Sequence, residues 1–329
     1  MTGTGSTTSS LAAAAESAGS DAVEAFGIVG NETRLAILLA LWEAFDPYTE
    51  DNAVSFSELR ARVGMSDPGQ FNYHLGKLTG QFVTKTDCGY ELHPSGLHLV
   101  QTVLAGTGMK KTTIEPTRIG ATCLRCGAPT AMSYRDGWLY YCCTVCEGFV
   151  GAGPGQPEGI LFSQALPPAA LSNRTLEEVF AAGVSRMLQA FVTKMSGICP
   201  HCAGVVGSMF EICETHDPLQ GEVCPTCRRQ YEVAVKWVCS VCKYRGQAPP
   251  CVAAIVHPEV RAFYHDHGVD IGDTVDGFES SQRILTLMGE HEQALVSVDP
   301  HRVLVTIRYD GDELRVTFDE EMNVAEPNA

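Results

Sequence analysis

Residues 67–96 read "DPGQFNYHLGKLTGQFVTKTDCGYELHPSG", and the fold of the first third of the chain turns on them. Phe71, Leu75 and Leu78 recur at i, i+4 and i+7, the spacing of one helix face, while Gln70, Tyr73, His74 and Lys77 form a second, polar stripe. "FVTKTDCGYEL" then predicts a hairpin turning near Asp87-Cys88-Gly89, and "HPSGLHLVQTVLAG" returns to helix. Upstream, "EAFGIVGNETRLAILLALWEAF" predicts two helices broken near Gly30-Asn31, with Asn31 capping the second. "VSFSELRARVG" predicts a helix with its cap at Ser57 and its end at Gly64.

Three helices, a turn, a helix, a hairpin and a helix make the order of a winged helix-turn-helix over residues 21–105. In such a unit the second helix of the turn enters the major groove of duplex DNA. Gln70 and Asn72 carry amides that pair with adenine, and Lys77 and Lys85 would meet phosphates. With Tyr73 and His74 they make the candidate DNA-binding set.

"VGNETRLAILLAL" together with "FNYHLGKLTGQFVTKTDCGYELHPSG" resembles the arsenical-resistance-repressor (ArsR) class of winged-helix regulators in its archaeal form. The resemblance implies a transcriptional regulator that binds double-stranded DNA as a homodimer. It departs from the metal-sensing members, because residues 55–80 contain no cysteine and so carry no sensing motif there.

Composition cuts across this reading. The 329 residues hold 39 acidic against 23 basic side chains, a net charge of −16, and residues 21–105 hold eleven against five. Phosphate contact needs a basic face, so the chain is not a general nucleic-acid binder at ordinary salt. In about 1 M salt the Debye length falls to about 3 Å, and bulk charge of the wrong sign then repels DNA little. Seven lysines among so many acids resemble the composition of salt-loving archaeal proteins. The start has no positive n-region and there is no run of 18 apolar residues. The expectation is a cytoplasmic chain with no membrane span and a disordered stretch over residues 1–20.

Fourteen cysteines in a cytoplasmic chain point to metal sites. Cys123-x2-Cys126 and Cys143-x2-Cys146, separated by 16 residues with an Asp136-Gly137 turn between, predict a zinc ribbon. Cys142 falls out of the CxxC spacing and should point to the other sheet face. Further on, ligands taken in chain order give one zinc held by Cys199, Cys202, Cys213 and His216 and another held by Cys224, Cys227, Cys239 and Cys242. Interleaved ligation, with the first pair sharing a metal with the third, is the alternative. His201 and Cys251 stand outside both sets. Four protein donors per zinc make closed, structural sites rather than catalytic ones, which keep an open position.

"LSNRTLEEVFAAGVSRMLQAFVTKMSG" predicts an amphipathic helix capped by Asn173 or Thr175. "HPEVRAFYHDHG" predicts a short helix whose His257, His265 and His267 do not form a metal set. "QALVSVDPHRVLVTIRYDGDELRVTFDEEMNV" alternates as a β-meander, with Val303, Val305 and Ile307 on one face and a turn at Asp310-Gly311-Asp312.

The expected organisation is multidomain α+β. It comprises a disordered start (1–20), a winged helix-turn-helix (21–105), a linker (106–120), a zinc ribbon (121–168) and an amphipathic helix (169–196). A double zinc module (197–255) and a C-terminal helix with a β-meander (256–329) follow. The expected function is sequence-specific DNA-binding transcription regulation with three structural zincs. Three other readings stay open: a basal-factor-like partner of RNA polymerase, a zinc-stabilised interaction scaffold without DNA binding, and a thiol redox sensor. No Gly-rich phosphate loop or G-x-S-x-G nucleophile motif occurs, so no enzyme is expected.

Overall fold

The computed structural model describes residues 20–106, 112–218, 222–272 and 277–325. The expected disordered start lies, but for residue 20, outside these, as does residues 107–111 of the expected linker. The chain divides after Thr107 into two compact units. Both mix helices with small antiparallel sheets, four sheets in all among the described residues.

The first unit is built from α1 (Ser20–Val29), α2 (Glu32–Ala44), α3 (Phe56–Val63), α4 (Pro68–Leu78), the hairpin β1 (Val83–Lys85) and β2 (Tyr90–Leu92), and α5 (Pro94–Leu104). α1 and α2 meet at a bend of 81°. Asn31 makes that break, its side chain accepting from the Arg34 N–H at 3.2 Å while its own backbone stays extended. The cap of α3 is Ser55, not Ser57. Ser55 Oγ accepts from the Glu58 N–H at 3.3 Å, so the helix starts two residues earlier than the pattern suggested. Gly64 closes α3 in the left-handed conformation at φ 73°. Asp67 then caps α4, accepting from Gly69 and Gln70, and Pro68 opens the helix where a missing N–H costs nothing. Ile37, Leu38, Leu41, Leu59, Phe71, Leu75, Leu78, Val83 and Val100 close one core.

The second unit begins with an antiparallel sheet of β3 (Ile114–Thr122), β4 (Pro129–Arg135), β5 (Trp138–Cys143) and β6 (Ile160–Ala165), in that order. Most of the described part of the expected linker is therefore strand. β3 is an edge whose exposed, polar residues hid its period, and Ile119 and Ala121 alone are buried along it. Asp136 and Gly137, at φ 52° and 82°, make the tight turn between β4 and β5.

The long helix α6 (Leu176–Met195) is closed by a capping box between Thr175 and Glu178. One side meets the four-stranded sheet, with the Phe180 ring 5.0 Å from Tyr141. The other meets a second sheet, with Phe191 6.0 Å from Trp237. A Cβ at Gly183 would run into Leu139, so this helix approaches β5 as closely as it does because residue 183 is glycine. That second sheet is β7 (Val206–Ile212), β8 (Val233–Cys239) and β9 (Arg245–Ala248).

After the short α7 (Pro250–Ala253) come α8 (Pro258–Asp266), α9 (Phe278–Glu290) and the meander β10 (Glu292–Val298), β11 (His301–Tyr309) and β12 (Asp312–Phe318). α9 is absent from the sequence reading, which had one helix here. Its Ile284, Leu285, Leu287 and Met288 are buried, and Phe278 packs 5.4 Å from Phe180. A buried chain locks this end together. Tyr264 Oη lies 2.8 Å from His291 Nε2, and His291 Nδ1 lies 2.8 Å from the Cys251 carbonyl. A carbonyl only accepts, so Nδ1 carries the proton and Nε2 accepts from the tyrosine. No single helix among the described residues is long and apolar enough to cross a membrane.

Candidate metal centres

Three groups of four donors gather in the second unit, and within each group the ligand atoms all lie within 4.8 Å of one another. The first is Cys123, Cys126, Cys143 and Cys146, the second Cys199, Cys202, Cys239 and Cys242, and the third Cys213, His216, Cys224 and Cys227. All twelve expected ligands are gathered, but the grouping differs from the chain-order expectation. The first pair of the double module joins the fourth and the second joins the third. The alternative that joined first with third is likewise not what forms.

The reason is the register of β7 and β8. They pair antiparallel, Val206 opposite Cys239 and Ile212 opposite Val233. The start of β7 therefore lies beside the end of β8, and the knuckle at 199–202 meets the one at 239–242. At the other end, the residues following β7, 213–216, meet the knuckle at 224–227 that precedes β8. One centre closes each end of the same hairpin.

The sulfur pairs are spaced for a shared ion. Cys123–Cys146 and Cys126–Cys143 stand at 3.7 and 3.5 Å, and Cys199–Cys242 and Cys202–Cys239 both stand at 3.6 Å. In the third group Cys227 Sγ is 3.5 Å from His216 Nδ1. A disulfide would need about 2.05 Å. A tetrahedral ion with bonds of about 2.3 Å holds its sulfurs about 3.8 Å apart. The donor sets fit a tetrahedral thiophilic ion.

Each knuckle is shaped by its own backbone. The Cys123 N–H donates to the Ala128 carbonyl, Cys199 to Gly204, Cys224 to Arg229 and Cys239 to Tyr244. The residue after the second ligand turns left-handed, as Gly127, Ala203, Arg228 and Lys243 at φ 70°, 57°, 56° and 60°. Only Gly127 advertises this in the sequence. The turn aims backbone N–H groups at sulfur. Val241 and Cys242 both donate to Cys239 Sγ at 3.4 Å, and Val145 and Cys146 to Cys143 Sγ at 3.3 and 3.2 Å. The Cys242 N–H first, and the Val241 N–H with it, draw the Cys239 thiol down to about 6 against the desolvation that opposes them. Thiolate is the form that ligates metal; within this knuckle Cys239 is drawn towards it, while Cys242, against the Tyr244 N–H, is held up at about 12 by desolvation and the neighbouring thiols.

A glycine-rich loop after Cys146 ties the first centre to the third. Arg125, inside the first knuckle, donates to the Gly148 carbonyl, and Arg228, directly after the third centre's knuckle, donates to the Ala152 carbonyl. Val150 bridges Arg229 as a short antiparallel pair, and Glu147 accepts from the Val223 N–H at 2.7 Å. The sequence carried no signal for these contacts beyond the arginines themselves.

The residues left out of the ligand sets lie apart. Cys142 sits on the opposite sheet face with Tyr140 and Ile160, and burial pushes its thiol up to about 12. His201 is exposed and Cys251 is fully buried. His267 bonds the Phe263 carbonyl and Asp312 instead of gathering with His257 and His265. In the first unit, Gln70, Asn72, Tyr73 and Lys77 are exposed on α4 and Lys85 is exposed on β1. His74 is half-buried with its Nδ1 unpartnered, its ring edge-on to Tyr73.

The second unit is thus a mixed α/β scaffold carrying two four-cysteine groups and one of three cysteines and a histidine, each able to hold a metal ion. The chain belongs to the family described as Domain of unknown function (DUF7351), which matches residues 120–324 and so spans all three groups. Residues 22–103 match a further family described as Domain of unknown function (DUF7347). No curated protein and no solved structure matches the chain.

Proposed function

We propose that this chain is a sequence-specific, DNA-binding transcriptional regulator of the ArsR type, cytoplasmic and acting as a homodimer on double-stranded DNA. Its first unit works as a winged helix-turn-helix, with α3 and α4 as the two helices of the turn and β1–β2 as the wing. One observation carries the reading: α4 buries Phe71, Leu75 and Leu78 and leaves Gln70, Asn72, Tyr73 and Lys77 free on its outer side. Two amides, a phenol and an ammonium on one short capped helix are the groups that read base edges and hold phosphates. The three donor sets hold zinc. Four protein ligands leave no open position, so the ions are structural and close small sheets that bury little apolar area.

The eleven acids against five bases over residues 21–105 favour a second reading, a zinc-stabilised scaffold that binds protein and not DNA. One experiment decides between them: selection of the zinc-loaded full chain on random duplexes in multimolar KCl. The expected result is an enriched motif, bound at least about fivefold more weakly by the Gln70→Ala/Tyr73→Ala variant, as loss of a base contact of about 1–3 kcal/mol requires. No enriched motif overturns the regulator and leaves the scaffold.

A further inference from the structure

The outer face of the β7–β9 sheet carries apolar surface that nothing in the second unit covers. Val205 and Val241 are 70% and 69% exposed, and Met209, Val238 and Ile198 are about half exposed. They are contiguous. Ile198 bridges Val205, and Gly204 packs so closely on Val241 that a Cβ there would sit 2.9 Å from its Cγ2. Gly207 stands opposite Val238, which stands opposite Arg245; Met209 stands opposite Lys236. At Gly207 itself a Cβ would meet nothing within 4 Å. The face therefore has a shallow socket above Gly207, flanked by Val205, Met209 and Val238. Clustered exposed apolar groups with a polar rim mark interaction sites.

Most of the charged side chains around the socket are basic. Residues 192–210 and 235–248, which frame the second metal centre, hold Lys194, Lys236, Lys243 and Arg245 and no acid, in a chain of net −16. Lys194 is turned inward over Trp237. Lys236 is paired to Glu211, which Arg229 also binds, and the Glu320 carboxylate accepts from the Phe210 N–H at 3.1 Å. Lys243 and Arg245 make no ion pair among the described residues. A four-thiolate centre does not by itself demand this surplus: around the first one, residues 112–150 hold three basic and three acidic groups. Nor does the face suit nucleic acid. Base stacking needs exposed aromatic rings, and here the exposed apolar groups are aliphatic.

We propose that this face is a docking site for an acidic, amphipathic segment of a partner protein. An apolar side chain of the segment enters the Gly207 socket, and its carboxylates meet Lys243 and Arg245. The site lies in the second unit and is independent of whether the first unit binds DNA.

The test is selection of a displayed library of random 16-residue peptides on the immobilised, zinc-loaded full chain. Enriched peptides are then titrated by fluorescence anisotropy. Two variants serve as controls: Gly207→Glu, which fills the socket, and Lys243→Glu/Arg245→Glu, which reverses the rim. Val205→Ser/Val241→Ser replaces the first should it lower bound metal. The expected peptides are acidic with interspersed apolar residues, and their affinity falls at least tenfold in either variant while metal content and melting temperature hold. Four results overturn the proposal: no enrichment, enrichment of basic peptides, and peptides bound equally by the variants are three. The fourth is a face that serves another occupant, shown by a 20-residue oligonucleotide or self-association being the binding that the variants abolish.

Discussion

Replacing Cys199 and Cys202 by serine is expected to remove one metal ion from this chain, and replacing Cys239 and Cys242 as well is expected to remove no more. The four sulfurs belong to one set, with cross-pairs at 3.6 Å. A regular tetrahedron with such edges has its centre roughly 2.2 Å from each corner, close to a zinc–thiolate bond. The chain-order pairing of the same eight ligands makes the opposite prediction, because the four residues would then be drawn from two centres. Bound metal counted by native mass spectrometry should therefore run three, two, two for wild type, pair and quadruple variant under the nested arrangement, and three, two, one under the other. The converse quadruple variant, Cys199→Ser/Cys202→Ser with Cys213→Ser/His216→Ala, should leave one ion if the centres are nested and two if they follow chain order. A structural zinc contributes about 10–16 kcal/mol of apparent binding energy. That matches or exceeds the about 5–15 kcal/mol stability of a whole domain. Each loss will loosen its surroundings, yet local unfolding cannot invert the ranking of the two quadruple variants. That inversion would refute the hairpin-end argument.

Two further outcomes follow from the second unit. Burial holds His291 down to about 4, and it stays neutral in the fold where the unfolded chain would take a proton below about 6.5. The unfolded state then binds more protons between those values, so stability falls as pH drops through that window. From pH 8 to pH 5 the loss is about 2 kcal/mol. Denaturant melts across this range should show it in wild type and not in His291→Asn, and parallel curves would rule the histidine out. Cys142→Ser should leave three metals in place, because that thiol faces away from the first centre with Tyr140 and Ile160. In wild type after chelation, Cys142 should be among the last thiols alkylated at pH 8. Loss of a metal in this variant would make it a ligand.

What could be read from the residues alone divides along a physical line. Elements whose cores are local were legible: Phe71, Leu75 and Leu78 announce α4, and the alternation at Val303, Val305 and Ile307 announces β11. The twelve ligands were legible because knuckle spacing is itself local. Which knuckles share an ion was not, since it depends on the β7–β8 register, a pairing across as many as 33 residues between Val206 and Cys239. α9 was missed for a related reason. Its Ile284, Leu285, Leu287 and Met288 sit among polar residues, and what they pack against comes from elsewhere in the chain. Ser55 displaced Ser57 as a cap because two candidate hydroxyls two residues apart differ only in which one keeps an extended backbone.

The placement of the donor sets also explains why so small a set of sheets needs three of them. A small sheet is weakest at the ends of its strands, where hydrogen bonds run out and apolar cover is thin. The β7–β8 hairpin is covered by α6 through Phe191 and Trp237, towards its Val206–Cys239 end. A donor set lies at each end. The β4–β5 hairpin is closed at its open end in the same way, by Cys126 and Cys143 at 3.5 Å, while its other end is a two-residue turn that needs no help. The loop from Glu147 to Ala152 then carries the first centre's knuckle onto the third's by way of Val150 and Arg229. Metal ligation on this pattern substitutes for core only where a hairpin end is open. In the C-terminal meander, where β11 buries Val303, Val305 and Ile307, no four-donor set gathers among the described residues.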